Sequence, residues 1–240
     1  MTDRATALRV LAALGRTPIG GAAVLVGSSG LFGFETQVPA LTEDVDISIP
    51  EPLAAAHGDA IVAALAAQGF EHEHGTATFV SADGVTFDLL GHGEPEEGDH
   101  IGGAGSLRVM VFEDISRIVG ELDATIALPE GGRALSPAGF VASKLLTERA
   151  HKGTKDKLQA LLVIAEHAGD PPFEAELTRL LGRMDDVRLD DVRAGAQDAA
   201  IALGRDPTFS DAGAEGYASA LRQAELGLAR LLHLLEDLHA

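Results

Sequence analysis

The sequence predicts an α+β fold: a small mixed or antiparallel sheet with flanking helices over residues 1–133, then an α-helical domain over 134–240. Three observations predict it. Short apolar segments with strand-like alternation crowd the first half, whereas apolar residues recur at helical spacing beyond Pro137. Gly131, Gly132, Ser136 and Pro137 mark a compositional break between the two halves. The chain has 240 residues and 46 % hydrophobic content, enough for two separate cores.

Taken in order, Thr2–Leu14 carries Ala7, Leu8, Leu11 and Leu14 at helical spacing, with Gly15 as its stop. Ala22–Val26 reads as a buried strand, and Ser28–Phe34 as a short helix after a Gly-Ser turn. Asp44–Ile49 is a second strand closed by Pro50. Leu53–Gln68 is an Ala-rich amphipathic helix stopped by Gly69. Gly69–His74, Thr76–Ser81 and Gly84–Leu90 form a meander, with Asp83-Gly84 as a turn signal. Gly91–Gly105 is acidic and glycine-rich and reads as a solvated loop. Leu107–Phe112 and Asp123–Leu128 are short strands. The helices Pro137–His151, Lys155–Ala168, Phe173–Met184, Asp186–Leu203 and Ala212–His239 complete the chain, broken at Pro171-Pro172 and Asp206-Pro207.

The formal net charge of −19 argues against a general nucleic-acid binder, which needs a basic surface. One positive island stands out: Lys144, Arg149, Lys152, Lys155 and Lys157. There is no cysteine, so disulfides, thiolate metal sites and a cysteine nucleophile are excluded. The uncharged run Thr17–Phe34 holds five glycines and a proline, so it reads as a strand entering a loop rather than a membrane span. The N-terminus lacks a secretory pattern, and a cytoplasmic protein with no membrane association is expected.

The chemistry concentrates between Val24 and Ile49. Side chains alternate along a strand, so Asp44, Asp46 and Ser48 share one face while Val45, Ile47 and Ile49 share the other. Two carboxylates beside a glycine-rich turn make a seat for a divalent cation and the phosphates it binds. A third acid, Asp88, lies in the apolar segment GVTFDLLG, where burial is costly unless a cation pairs with it. If the two strands are neighbours, three carboxylates converge, and their mutual repulsion calls for one or two Mg²⁺ ions.

An apolar strand, Gly27-Ser28, a loop, Asp44-x-Asp46 and a later Asp88 together resemble the nucleotidyltransferase superfamily that includes polymerase beta. The segment ALSPAGFVASKLLTERAHKGTKDKLQALLVI resembles the helical part of the bacterial AbiEii-like nucleotidyltransferases, the toxin half of certain toxin–antitoxin pairs. The resemblance covers residues 22–49, 84–90 and 134–165. Two features depart from the pattern: fifteen residues separate Ser28 from Asp44, and Gln159 stands where the family often carries a second Asp.

The resemblance implies a Mg²⁺-dependent transfer of a nucleotidyl group from a nucleoside triphosphate to an acceptor hydroxyl. Asp44, Asp46 and Asp88 would be metal ligands and catalytic acids. Gly27, Ser28, Lys144, Arg149, Lys155 and Asp156 would contact the nucleotide. The acceptor would be a tRNA 3′ end, with an antitoxin protein as partner. Two alternatives remain open: a small-molecule or protein hydroxyl as acceptor, or a non-catalytic nucleotide- or partner-binding protein on the same fold.

The other polar signals have plainer readings. His72 and His74 share a strand face and read as surface histidines. His92, Asp99 and His100 belong to the expected solvated loop. Gly102–Ser106 lacks the lysine of a phosphate loop and reads as a turn. Lys144, Glu148 and Lys152 step by four residues, which equally fits a solvated ion-paired helix face.

Overall fold

A computed structural model describes residues 3–40, 42–73, 76–121, 123–146, 153–202 and 213–238. The chain divides into two compact units. The first holds the residues through Glu35 together with Pro39–Ser136; the second holds Thr36–Val38 and the chain from Pro137 onward. The division lies three residues beyond the expected position because β9 (Arg133–Leu135) pairs in parallel with β1 (Val24–Leu25) and so belongs to the sheet.

Among the described residues, the first unit is built on a nine-stranded mixed sheet. Helix α1 (Arg4–Leu14) opens it, with the Asp3 carboxylate accepting from the Thr6 amide at 2.8 Å as an N-cap. The expected strand Ala22–Val26 shrinks to Val24–Leu25, because Gly20–Ala22 forms a turn of 3₁₀-helix; Gly27–Gly33 is a second 3₁₀ segment. Strand β2 (Val45–Pro50) leads directly into α2 (Glu51–Ala66). The meander follows as β3 (Phe70–His72), β4 (Thr78–Ser81) and β5 (Thr86–His92), all antiparallel.

The expected solvated loop Gly91–Gly105 is not a loop. Strand β5 runs on to His92, a 3₁₀ turn covers Pro95–Glu97, and β6 (His100–Ala104) pairs antiparallel with β7 (Leu107–Val111). Its glycines reflect close packing. A Cβ on Gly102 would sit 2.4 Å from Glu51 Oε1, and one on Gly58 of α2 would sit 2.4 Å from the Ala104 carbonyl. The helix lies too near this strand for larger residues. A short helix α3 (Glu113–Ser116) and a π-turn over Arg117–Glu121 precede β8 (Thr125–Ala127), which pairs with β9.

Val45, Ile47, Ile49, Phe87 and Leu89 join residues of α1 and α2 in one core. Phe87 stacks on Phe79 at 5.0 Å and meets Phe70 edge-on at 5.2 Å. Truncating it to Ala would cost about 3–5 kcal/mol. The alternation that buries this set turns Asp46, Ser48, Asp88, Leu90 and His92 to the other face.

The second unit contains α4 (Pro137–Leu146), α5 (Gly153–Glu166), α6 (Pro171–Leu181), α7 (Asp186–Ala202) and α8 (Gly213–Leu238). Leu158 and the run Ala160–Ile164 are buried around α5, marking it as the central helix. Helix α8 crosses it closely: a Cβ on Gly227 would lie 2.0 Å from the Leu161 carbonyl. Thr36 and Gln37, from the long Ser28–Asp44 connection, hydrogen-bond the Glu166 carboxylate at the end of α5. That connection is therefore partly built into the helical unit. No helix among the described residues is long and apolar enough to cross a membrane.

Candidate metal centre

Strands β2 and β5 are parallel neighbours, and Asp46 stands directly opposite Asp88 in their register. Asp44 lies one residue ahead of β2. A carboxylate oxygen from each of the three lies within 4.8 Å of the others, all of them half-buried. Adjacent strands sit about 4.8 Å apart, so register alone brings the second and third acids together.

Neighbouring hydroxyls fix these side chains. Thr78, opposite Asp88 on β4, donates through Oγ1 to Asp88 Oδ1 at 2.6 Å. Thr42 donates to Asp44 Oδ1 at 2.8 Å. Ser29, fully buried, accepts from the Asp46 amide at 3.1 Å and donates to the Asp44 carbonyl at 3.4 Å. It stitches the glycine-serine turn to the acid-bearing strand. In sequence Ser28 stands out beside Gly27, whereas Ser29, Thr42 and Thr78 do not. Hydroxyl residues are common, and only the strand pairing shows which of them face an acid.

Gly27 is required on two counts. Its φ is +57°, in the left-handed region. A Cβ there would lie 2.3 Å from Asp46 Oδ2, so the backbone of the turn presses against the carboxylate. Ser28 is buried beside it in the same 3₁₀ segment.

Three carboxylates within 4.8 Å of one another repel when ionised, and a divalent cation among them would relieve that repulsion. An all-oxygen donor set of this kind suits Mg²⁺, Mn²⁺ or Ca²⁺ rather than a thiolate-seeking metal. Thr42 and Thr78 orient Asp44 and Asp88 without bringing an opposite charge to them.

Beyond the acids on the same face, Ser48 Oγ and His92 Nδ1 share a hydrogen bond at 2.8 Å. Burial pushes the His92 pKa down to about 4, so the imidazole is neutral. His92 ends β5 rather than lying in the expected loop. His72 is tied down by its Nε2 contact with the Thr76 carbonyl at 2.9 Å and by Phe79. His74 lies outside the described residues.

In the helical unit, Lys144 donates through Nζ to Asp156 Oδ1, and the two side chains are about 5 % exposed. Phe140 lies beneath the ammonium at 5.7 Å. Lys144 itself is buried and so does not lie on the solvated face expected of it. Gln159, fully buried one turn along α5, adds no further charge. Lys155 is half-buried in the first turn of α5, and Lys157 reaches the Leu145 carbonyl at 3.3 Å. Arg149, Glu148 and Lys152 lie outside the described residues. Comparison with family models, with curated proteins and with solved structures finds no match for this chain.

Proposed function

We propose that the protein is a Mg²⁺-dependent nucleotidyltransferase that moves a nucleoside monophosphate from a nucleoside triphosphate to an acceptor hydroxyl, with release of pyrophosphate. The observation that carries this reading is the convergence of Asp44, Asp46 and Asp88 within 4.8 Å beside the Gly27-Ser28 turn. Those three acids would hold the metal. Bound there, Mg²⁺ would stabilise charge on the entering and leaving oxygens of an in-line displacement at the α-phosphorus. Thr42 and Thr78 orient two carboxylates without neutralising them, and Ser29 fixes the strand that carries Asp46. Gly27 and Ser28 would meet the triphosphate through their backbone. The nucleotide roles expected of Lys144 and Asp156 are not part of this proposal, since the two side chains are buried against each other in the helical unit.

The acceptor reading turns on the same sheet face. Leu90, Met110 and Ile101 are register partners across β5, β7 and β6, and the outer two are 41 % and 65 % exposed. An apolar row on the acid-bearing face, in a chain of net charge −19, favours a small-molecule or protein hydroxyl over a tRNA end.

Incubation with α-labelled nucleoside triphosphates and Mg²⁺, with total tRNA in one arm and cell lysate in the other, tests both points. Label entering any acceptor supports the class, and the band that takes it names the acceptor. No Mg²⁺-dependent label transfer or nucleotide binding in either arm overturns it.

A further inference from the structure

We propose that Glu51, Glu97 and His100 form a second divalent-cation site, of imidazole–carboxylate type, separate from the aspartate cluster. The three come from different elements: the first residue of α2, the last of the 3₁₀ turn and the first of β6. One ligand atom from each lies within 4.8 Å of the others. His100 Nε2 is 3.2 Å from Glu51 Oε2 and 3.5 Å from Glu97 Oε2. Donors around a tetrahedral ion with bonds of about 2.0–2.1 Å are spaced by roughly 3.3–3.4 Å. The observed pair brackets that spacing.

The imidazole is oriented as a ligand. Its Nδ1 lies 2.9 Å from the Gly98 carbonyl, which can only accept, so Nδ1 carries the hydrogen. Nε2 faces the Glu51 and Glu97 carboxylates, which hold a proton on it when no metal is bound; a divalent cation would take the place of that proton among the three groups. A backbone carbonyl holding the far nitrogen is the usual support of a metal-bound histidine.

The Glu51 carboxylate is seated rather than loose. A Cβ on Gly102 would come within 2.4 Å of Oε1, and one on Gly93 within 2.9 Å of Oε2. Two missing side chains therefore make the cradle this carboxylate occupies. Gly98, at φ +67°, supplies the turn between Glu97 and His100. The Glu51 and His100 side chains are about one-quarter exposed, so an ion can enter from solvent. One nitrogen with two oxygens suits Zn²⁺ or Mn²⁺ better than Mg²⁺.

This inference does not depend on the nucleotidyltransferase reading. Calorimetric titration with ZnCl₂ and MnCl₂ on Asp44→Ala, Asp46→Ala protein silences the aspartate cluster. One equivalent of cation should still bind. On that background, His100→Gln and, separately, Glu97→Gln should each weaken binding at least ~10-fold. Glu97 is 59 % exposed, so Glu97→Gln should leave the metal-free unfolding midpoint unchanged and serves if His100→Gln folds poorly. Absence of saturable binding to the double-alanine protein overturns the site. So does binding that neither substitution changes.

Discussion

Asp44 and Asp88 in the sheet unit take their hydrogen bonds from threonine hydroxyls, whereas Asp156 in the helical unit takes one from the Lys144 ammonium. A hydroxyl aims a carboxylate and leaves its charge in place. An ammonium cancels it. The first arrangement keeps negative potential available for an incoming cation, at the cost of repulsion among the acids. The second closes the charge into a pair whose members depend on each other, because either one alone would be a buried ion. His92 shows a third treatment: burial keeps it uncharged and Ser48 satisfies its nitrogen.

The sharpest way to break this contrast is to remove acids from each side. Asp44→Ala with Asp46→Ala should lower Mg²⁺-dependent label transfer by roughly 10³-fold, several kcal/mol of lost charge stabilisation. Urea unfolding of the same protein should show no loss of stability. Label transfer that survives would remove these residues from the metal centre.

Lys144→Met should do the reverse, destabilising the helical unit by about 3–5 kcal/mol through the stranded Asp156. The double variant Lys144→Met, Asp156→Leu should recover most of that loss. Equal instability in the single and double variants would show that the pair is not a closed unit.

The sign for His92 follows from its lowered pKa. The unfolded chain takes up the proton near pH 6.5, before the folded one does near 4. Stability from this group is therefore complete above about pH 6.5 and is lost as pH falls toward 4, by roughly 3 kcal/mol. Unfolding curves at pH 7 and 4.5 should converge in His92→Gln relative to the parent; an unchanged acid slope would assign the loss to other groups. The smallest expected effect is Thr78→Val, which should reduce Mg²⁺ affinity about 10-fold with little change in unfolding free energy.

The acids were legible because strand alternation and residue type together say enough. Asp46 and Asp88 stand in apolar strands and Asp44 directly before one, and period-two alternation gives them a common face. The hydroxyls that hold them were not legible, since Thr78 acquires its role from lying opposite Asp88 in the β4–β5 register. Gly91–Gly105 misled for a related reason. Its small residues look like loop chemistry, yet Gly102 is small because the Glu51 carboxylate occupies the space of its Cβ. Strand β9 leaves no trace in the sequence pattern because three residues are too few to show a period.

Local spacing along the chain encodes the α+β class, the change to helices near Pro137 and the acids that share a strand face. These are local properties, written in the spacing of apolar and charged residues along a few turns of chain. Tertiary structure alone decided that β2 and β5 are parallel neighbours, that Lys144 meets Asp156 and that Glu51, Glu97 and His100 come together. Those outcomes depend on which distant segments pack side by side, and no local period encodes the partner.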